Sequence, residues 1–325
     1  MIIVTGGAGF IGSAFVWKCN AEGLTDILVV DNLGKSEKWQ NLVGLKFVDY
    51  MHKEDFINKV RDGKFKSKVD SIIHMGACSS TTEEDLDFLM ENNYRYTQTL
   101  AEWALKNDAR FIYASSAATY GDGSCGFEDK HDGLTFLRPI NKYGYSKHIF
   151  DLYALSKGLI DKITGLKFFN VFGPNEYHKG DMRSVICKAY EQIRDTGALK
   201  LFKSHRPDYK DGEQVRDFVY IKDCIEIMWW LFNNKNVTGI YNIGTGKSRG
   251  WNDLAKAIFI AMEKAVNIEY IDMPENIRDQ YQYYTEARMD KLERKGCHHH
   301  FSSLEAAVSD YVGAYLNKGQ KSLVF

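Results

Sequence analysis

Apolar and polar positions come in alternating blocks through the first half of the chain. Residues 1–4 (Met-Ile-Ile-Val) and Ile27-Leu28-Val29-Val30 are short continuous apolar runs rich in β-branched residues, which reads as strands. Between them Ile11, Phe15, Val16 and Cys19 recur at helical spacing. Further strands are predicted at 45–48, 69–74 and 110–115. A helix turning Leu100, Ala101, Trp103 and Ala104 inward separates the last two strands, and another carries Tyr143, Phe150, Leu152 and Leu155. Strand and helix in regular alternation predict an α/β fold, a Rossmann-like doubly wound parallel sheet.

Beyond residue 169 the blocks shorten. Helices are expected at 185–193, 225–232 and 254–262, and strands at 199–202, 214–219, 240–243 and 268–271. The pattern is too mixed for a second doubly wound unit. The expected organisation is a cofactor-binding Rossmann domain over 1–169 and, over 170–325, mainly a smaller α+β substrate-binding lobe interleaved with the first.

Composition narrows the class. Forty-two basic against 43 acidic residues leave no excess to favour nucleic acid or an anionic membrane. Six cysteines without C-x-x-C spacing fit a reduced, cytoplasmic protein rather than a disulfide scaffold or zinc site. Met1 runs directly into the first strand, so no signal peptide is expected, and no apolar run approaches the ~18 residues of a membrane span.

The chemistry begins at Thr5-Gly6-Gly7-Ala8-Gly9-Phe10-Ile11-Gly12. Glycines at 6, 9 and 12 follow a strand and open a helix, a close variant of the dinucleotide fingerprint, and Asp31 at the end of the second strand is placed for a ribose hydroxyl. In a doubly wound sheet ligands sit at the strand carboxyl ends, where Gly6, Asp31, Asp49, Gly76 and Ser115 fall. Tyr143 and Lys147 lie four apart and share a helix face. An ammonium beside a phenol lowers the phenol pKa, which would fit Tyr143 to move a proton at a hydroxyl group. Ser116, after the fifth strand, could hydrogen-bond the same oxygen.

Taken together, the glycine fingerprint, Ser116 and Tyr143/Lys147 resemble the extended short-chain dehydrogenase/reductase superfamily, whose members commonly act on nucleotide sugars. Residues 76–83 (Gly-Ala-Cys-Ser-Ser-Thr-Thr-Glu), Asn92-Asn93-Tyr94 and residues 176–182 (Glu-Tyr-His-Lys-Gly-Asp-Met) closely resemble the ADP-L-glycero-D-manno-heptose 6-epimerase family. That resemblance implies a nicotinamide cofactor and inversion of C6 of ADP-heptose through a 6-keto sugar, for the lipopolysaccharide inner core. It implies Tyr143 and Lys179 as opposed acid/base residues beside Ser116 and Lys147. Around the cofactor it implies Gly6, Gly9, Phe10, Ile11, Gly12, Asp31, Asn32, Met75, Gly76, Ala77, Cys78, Ser79, Asn92, Lys147 and Val171. Lys38 and Lys53 match lysines placed near the 2′-phosphate and favour NADP over NAD, whereas the charge of Asp31 argues for NAD.

For the sugar nucleotide the same resemblance implies Asn170, Asp181, Lys188, Phe202, Lys203, Ser204, His205, Arg216 and Tyr281. Arg216 is the diphosphate clamp, a guanidinium able to bind bidentately. Three positions depart from the family pattern: Lys167 for an arginine, Asp181 for a serine and Lys188 for a histidine, the last two offered as partners. A homo-oligomer, a pentamer in relatives, is implied too. His298-His299-His300 reads as a solvated link rather than a metal site, His74 as a core residue, and residues 129–132 as a solvated loop. The rival readings are a 4-epimerase of the same superfamily and a non-catalytic NADP-binding protein.

Overall fold

The computed structural model describes residues 1–278 and 281–324. Its centre is a seven-stranded sheet in the order β11-β6-β5-β4-β1-β2-β3, parallel throughout. The strands of its first half are β1 (Ile2–Thr5), β2 (Ile27–Asp31), β3 (Asp49–His52), β4 (Ser71–His74), β5 (Arg110–Ser116) and β6 (Thr164–Phe168). Further along come β7 (Asn170–Phe172), β8 (Leu199–Phe202), β9 (Val215–Arg216), β10 (Phe218–Tyr220), β11 (Gly239–Ile243), β12 (Arg249–Gly250) and β13 (Ile268–Ile271). Helices α1 (Phe10–Ala21), α2 (Lys53–Arg61), α3 (Leu86–Leu89), α4 (Tyr96–Lys106), α5 (Lys142–Ser156), α6 (Val185–Thr196), α7 (Ile221–Asn233) and α8 (Trp251–Ala261) connect and cover them.

Helices on both faces explain why the strands read as unbroken apolar runs. Ile2 and Val4 belong to one core, with Phe15, Val29 and Leu166, while the intervening Ile3 belongs to a second core with Leu28, Val30, Phe56 and Phe111. The strand order reverses between β1 and β4, and the crevice at that switch point is where such sheets take ligands.

Several sequence-based expectations need correction. The third strand is 49–52, not 45–48: Asp49–His52 pairs with Leu28–Asp31, and Val48 is 60% exposed. Apolar content drew the expectation to 45–48, but backbone pairing falls on the more polar segment after it. Residues 214–219 form not one strand but two, β9 and β10, in different small sheets. β11 returns to the large sheet beside β6, so the chain recrosses from the second half into the first. The 129–132 loop is partly buried, with the Asp129 carboxylate accepting the Asn242 N–H at 2.9 Å. His74 is the core residue expected, hydrogen-bonded to Thr5 and Thr97. His299 pairs with Asp223 at 2.8 Å, and no cluster suited to a metal occurs among the described residues.

Candidate active site

A cleft of about 510 Å³ opens at the switch point, continuous in its lining with a second cavity of about 190 Å³ through Gly6, Asp31, Lys38, Gly76 and Ala77. Of the residues expected around the cofactor, Gly9, Phe10, Ile11, Gly12, Met75, Ser79, Lys147 and Val171 join these shared ones in the larger cleft. Asn32, Lys53, Cys78 and Asn92 line the smaller.

The glycine loop has the tight backbone geometry of a dinucleotide-binding turn. Gly6 has φ +63°, and a Cβ there would stand 2.6 Å from the Gly76 backbone nitrogen; a Cβ on Gly12 would collide with the Gly6 carbonyl oxygen. Only glycine therefore lets the loop turn this tightly between the end of β4 and the start of α1, the close packing that the dinucleotide fingerprint provides. Gly9 caps α1 without a side-chain bond, leaving the first-turn N–H groups for an anion. Asp31 accepts the Ala8 N–H at 2.8 Å and pairs with Lys38 at 2.7 Å, so its carboxylate is already neutralised. Lys53 donates to Asn92 Oδ1 at 2.7 Å in the same cavity.

Local sequence brings the reactive groups together. Ser116 caps the short turn Ala117–Tyr120, its Oγ accepting the Ala118 N–H at 3.1 Å. Asn141 caps α5 by accepting the Gly144 N–H at 2.7 Å. A Cβ on Gly144 would stand 2.7 Å from the Ala118 carbonyl oxygen, so only glycine lets α5 begin this close to that turn. Tyr143 thereby lines the cleft together with Ser116, whose hydroxyl acts on the phenol. Lys147, one turn on, donates to the Ala114 carbonyl at 2.8 Å.

That geometry changes the expected electrostatics. Burial pushes the Tyr143 phenol up, the Ser116 hydroxyl only partly offsetting it, and burial pulls Lys147 down to about 8. The anticipated lowering of the phenol by Lys147 is not found, because desolvation outweighs an ammonium turned toward β5.

Lys179, on the turn Tyr177–Met182, lines the same cleft as Tyr143, Ser116 and Lys147. Its Nζ stands 5.4 Å from the Phe10 ring centroid, and burial lowers its pKa, Glu176 opposing. A lysine so placed can give up and regain a proton more readily than one in water. Glu176, 0% exposed, ties the turn down: its carboxylate accepts from Gly173 N, Ser184 N, Ser184 Oγ and the Tyr311 hydroxyl.

The residues expected at the sugar nucleotide divide. Asn170 lines the cleft. Arg216 and Tyr281 lie behind Trp251, which does line it: the Arg216 guanidinium sits 5.8 Å from the Trp251 ring and 5.1 Å from Tyr281, and Trp251 donates to the Tyr281 hydroxyl at 2.9 Å. Arg216 is 7% exposed, its guanidinium donates to the Val215 carbonyl at 2.9 Å, and it pairs with no carboxylate among the described residues. Phe202 ends β8 and Lys203, Ser204 and His205 follow it; none of the four is on the cleft wall. Asp181 and Lys188 are exposed and also off it; Lys188 donates to the Asp181 backbone carbonyl at 3.1 Å, not to the carboxylate.

Sequence reasoning missed Trp251, Phe218, His178 and Met182 on the cleft wall. His178 and Met182 flank Lys179 inside the 176–182 motif, the one signal that points to them, whereas nothing in the spacing of Phe218 and Trp251 separates them from core residues.

Comparison with known proteins agrees with this geometry. Residues 2–244 match the family model described as the NAD dependent epimerase/dehydratase family. A curated relative from Nitratidesulfovibrio vulgaris (strain DP4), named ADP-L-glycero-D-manno-heptose-6-epimerase, is 60% identical over 97% of this chain and 98% of its own. The crystal structure of the Helicobacter pylori enzyme of that name is 27% identical, with TM-score 0.80, covering 96% of this chain and 95% of its own. A Thermus thermophilus UDP-glucose 4-epimerase, solved in complex with NAD, is 26% identical with TM-score 0.73, covering 97% of this chain and 99% of its own. The chain belongs to the NAD dependent epimerase/dehydratase family, in the group whose curated relatives are named ADP-L-glycero-D-manno-heptose-6-epimerase.

Proposed function

We propose that the protein inverts C6 of ADP-D-glycero-D-manno-heptose to give the L-glycero epimer, a step toward the lipopolysaccharide inner core. The observation that carries the reading is Lys179 lining the same cleft as Ser116, Tyr143 and Lys147, and the relatives' shared name supports it. A bound nicotinamide supplies a reversible acceptor for the hydrogen of a carbinol carbon. Gly6, Gly9 and Gly12 would hold its pyrophosphate and Asp31 with Asn32 its adenosine ribose. We favour NADP because Lys38 neutralises Asp31 at 2.7 Å and Lys53 shares the smaller cavity.

A secondary carbinol with no neighbouring carbonyl has no acidic C–H, so inversion requires passage through a ketone at C6. Tyr143, on the cleft wall with Ser116, would take or return the hydroxyl proton in one orientation of the C6 substituent. Lys179 would do so in the other, from the opposite side. Lys147 would orient the nicotinamide ribose. Residues 170–325 would mainly form the substrate lobe, with Arg216 as the buried cation for the diphosphate. The reading is tested with substrate deuterated at C6 and turned over in ordinary water. Deuterium kept at C6 of the epimer supports it, and wash-out contradicts it.

A further inference from the structure

The turn that carries Lys179 is fastened to the glycine loop by two buried asparagines outside the expected site. Asn41 is 6% exposed and shares its side-chain N–H groups among the Ala8 carbonyl at 3.1 Å, the Asn175 carbonyl at 3.0 Å and His178 Nδ1 at 3.3 Å. Ala8 belongs to the phosphate loop, and its own N–H is held by Asp31. His178 immediately precedes Lys179. Burial lowers the His178 pKa to about 4, so near neutral pH the ring is uncharged and one of its two nitrogens can accept.

Asn175 is 1% exposed and has φ +77°, a left-handed conformation uncommon outside glycine. Its side chain donates to Ser13 Oγ at 2.7 Å in the first turns of α1, and its Oδ1 accepts the Leu323 N–H at 2.8 Å. Its backbone N–H reaches the Lys321 carbonyl at 2.8 Å. One residue on, Glu176 closes the same turn.

We infer that Asn41 and Asn175 are positioning residues that set Lys179 by locking its turn to the dinucleotide loop and to α1. Neither lines the cleft. A buried polar side chain with every donor spent between two functional segments fixes their spacing, and a misplacement of about 1 Å at a reacting group can cost about 10²-fold in rate. The inference rests on the proposed acid/base role of Lys179.

The test uses full-length Asn41→Ala, Asn175→Gly and the double variant, saturated with cofactor. Glycine at 175 tolerates the positive φ, so only the side chain's bonds are lost. Each single variant should lower kcat for ADP-heptose epimerisation by about tenfold to 10²-fold. KM for the sugar nucleotide should stay within about twofold, since misplacing a proton-transfer group spares ground-state binding. The double variant should be no slower than the slower single, because both break one linkage. Limited trypsin cleavage after Lys179, read by mass spectrometry, should quicken in both. Wild-type kcat in both variants, losses that multiply, or a KM rise without a kcat fall would each overturn the inference. If Lys179→Met turned over normally, the acid/base reading would fail alone, and the cleavage rate would still decide the locking.

Discussion

Lys167 and Asp151 form an ion pair at 2.8 Å in which both side chains are 0% exposed. Asp151 also accepts from the Tyr113 and Ser115 hydroxyls at 2.8 Å each, and Lys167 donates to Thr119, whose hydroxyl bonds the Ser116 carbonyl at 2.7 Å. The pair therefore braces β5, β6 and α5 directly behind Ser116 and Lys147. Removing one partner strands a buried charge, so Lys167→Met should lose about 3–5 kcal/mol of unfolding free energy in urea. Lys167→Met/Asp151→Leu should recover part of that, the Tyr113 and Ser115 hydroxyls remaining unpaired. A double variant no more stable than the single would contradict this.

Tyr143→Phe and Lys179→Met should each reduce epimerisation by about 10²–10⁴-fold. Cofactor affinity, followed by fluorescence titration, should change little, because neither group belongs to the phosphate loop.

Lys38→Ala removes the partner of Asp31 and exposes its charge to the cofactor. A charged hydrogen bond is worth about 1.5–3 kcal/mol, so the affinity ratio of NADP over NAD should fall by roughly tenfold or more. Equal losses for the two dinucleotides would place Lys38 away from the 2′-phosphate.

Burial holds His74 down to about 3 and His178 down to about 4, against an ordinary histidine value of 6.5. Between those folded values and 6.5 the unfolded chain binds more protons, so stability falls as pH drops through that window and is fully restored above it. Urea midpoints should decline from pH 7 to pH 4.5, and His178→Gln should flatten the decline.

How far the chain could be read in advance follows from what each feature depends on. β1, β2, β4 and β5 were legible because burial on both faces demands continuous apolar runs. The glycine loop was legible because close backbone approach admits no other residue. β3 was not, since Asp49-Tyr50-Met51-His52 is half-exposed and defined by pairing with β2 rather than by pattern. Lys179 was found through its motif alone. Asn41, Asn175 and the Asp151–Lys167 pair left no local signal, because contacts across 134 and 16 positions make them. The Tyr143–Lys147 spacing was right, and its electrostatic consequence reversed once burial entered.

The central claim is the reaction itself. The direct measurement is incubation of the protein with ADP-D-glycero-D-manno-heptose and NADP, with the configuration at C6 followed by NMR. The account predicts conversion toward a mixture with the L-glycero epimer and no net change in NADP absorbance. An unchanged C6 signal, with inversion at C4 of a UDP-sugar instead, would contradict it.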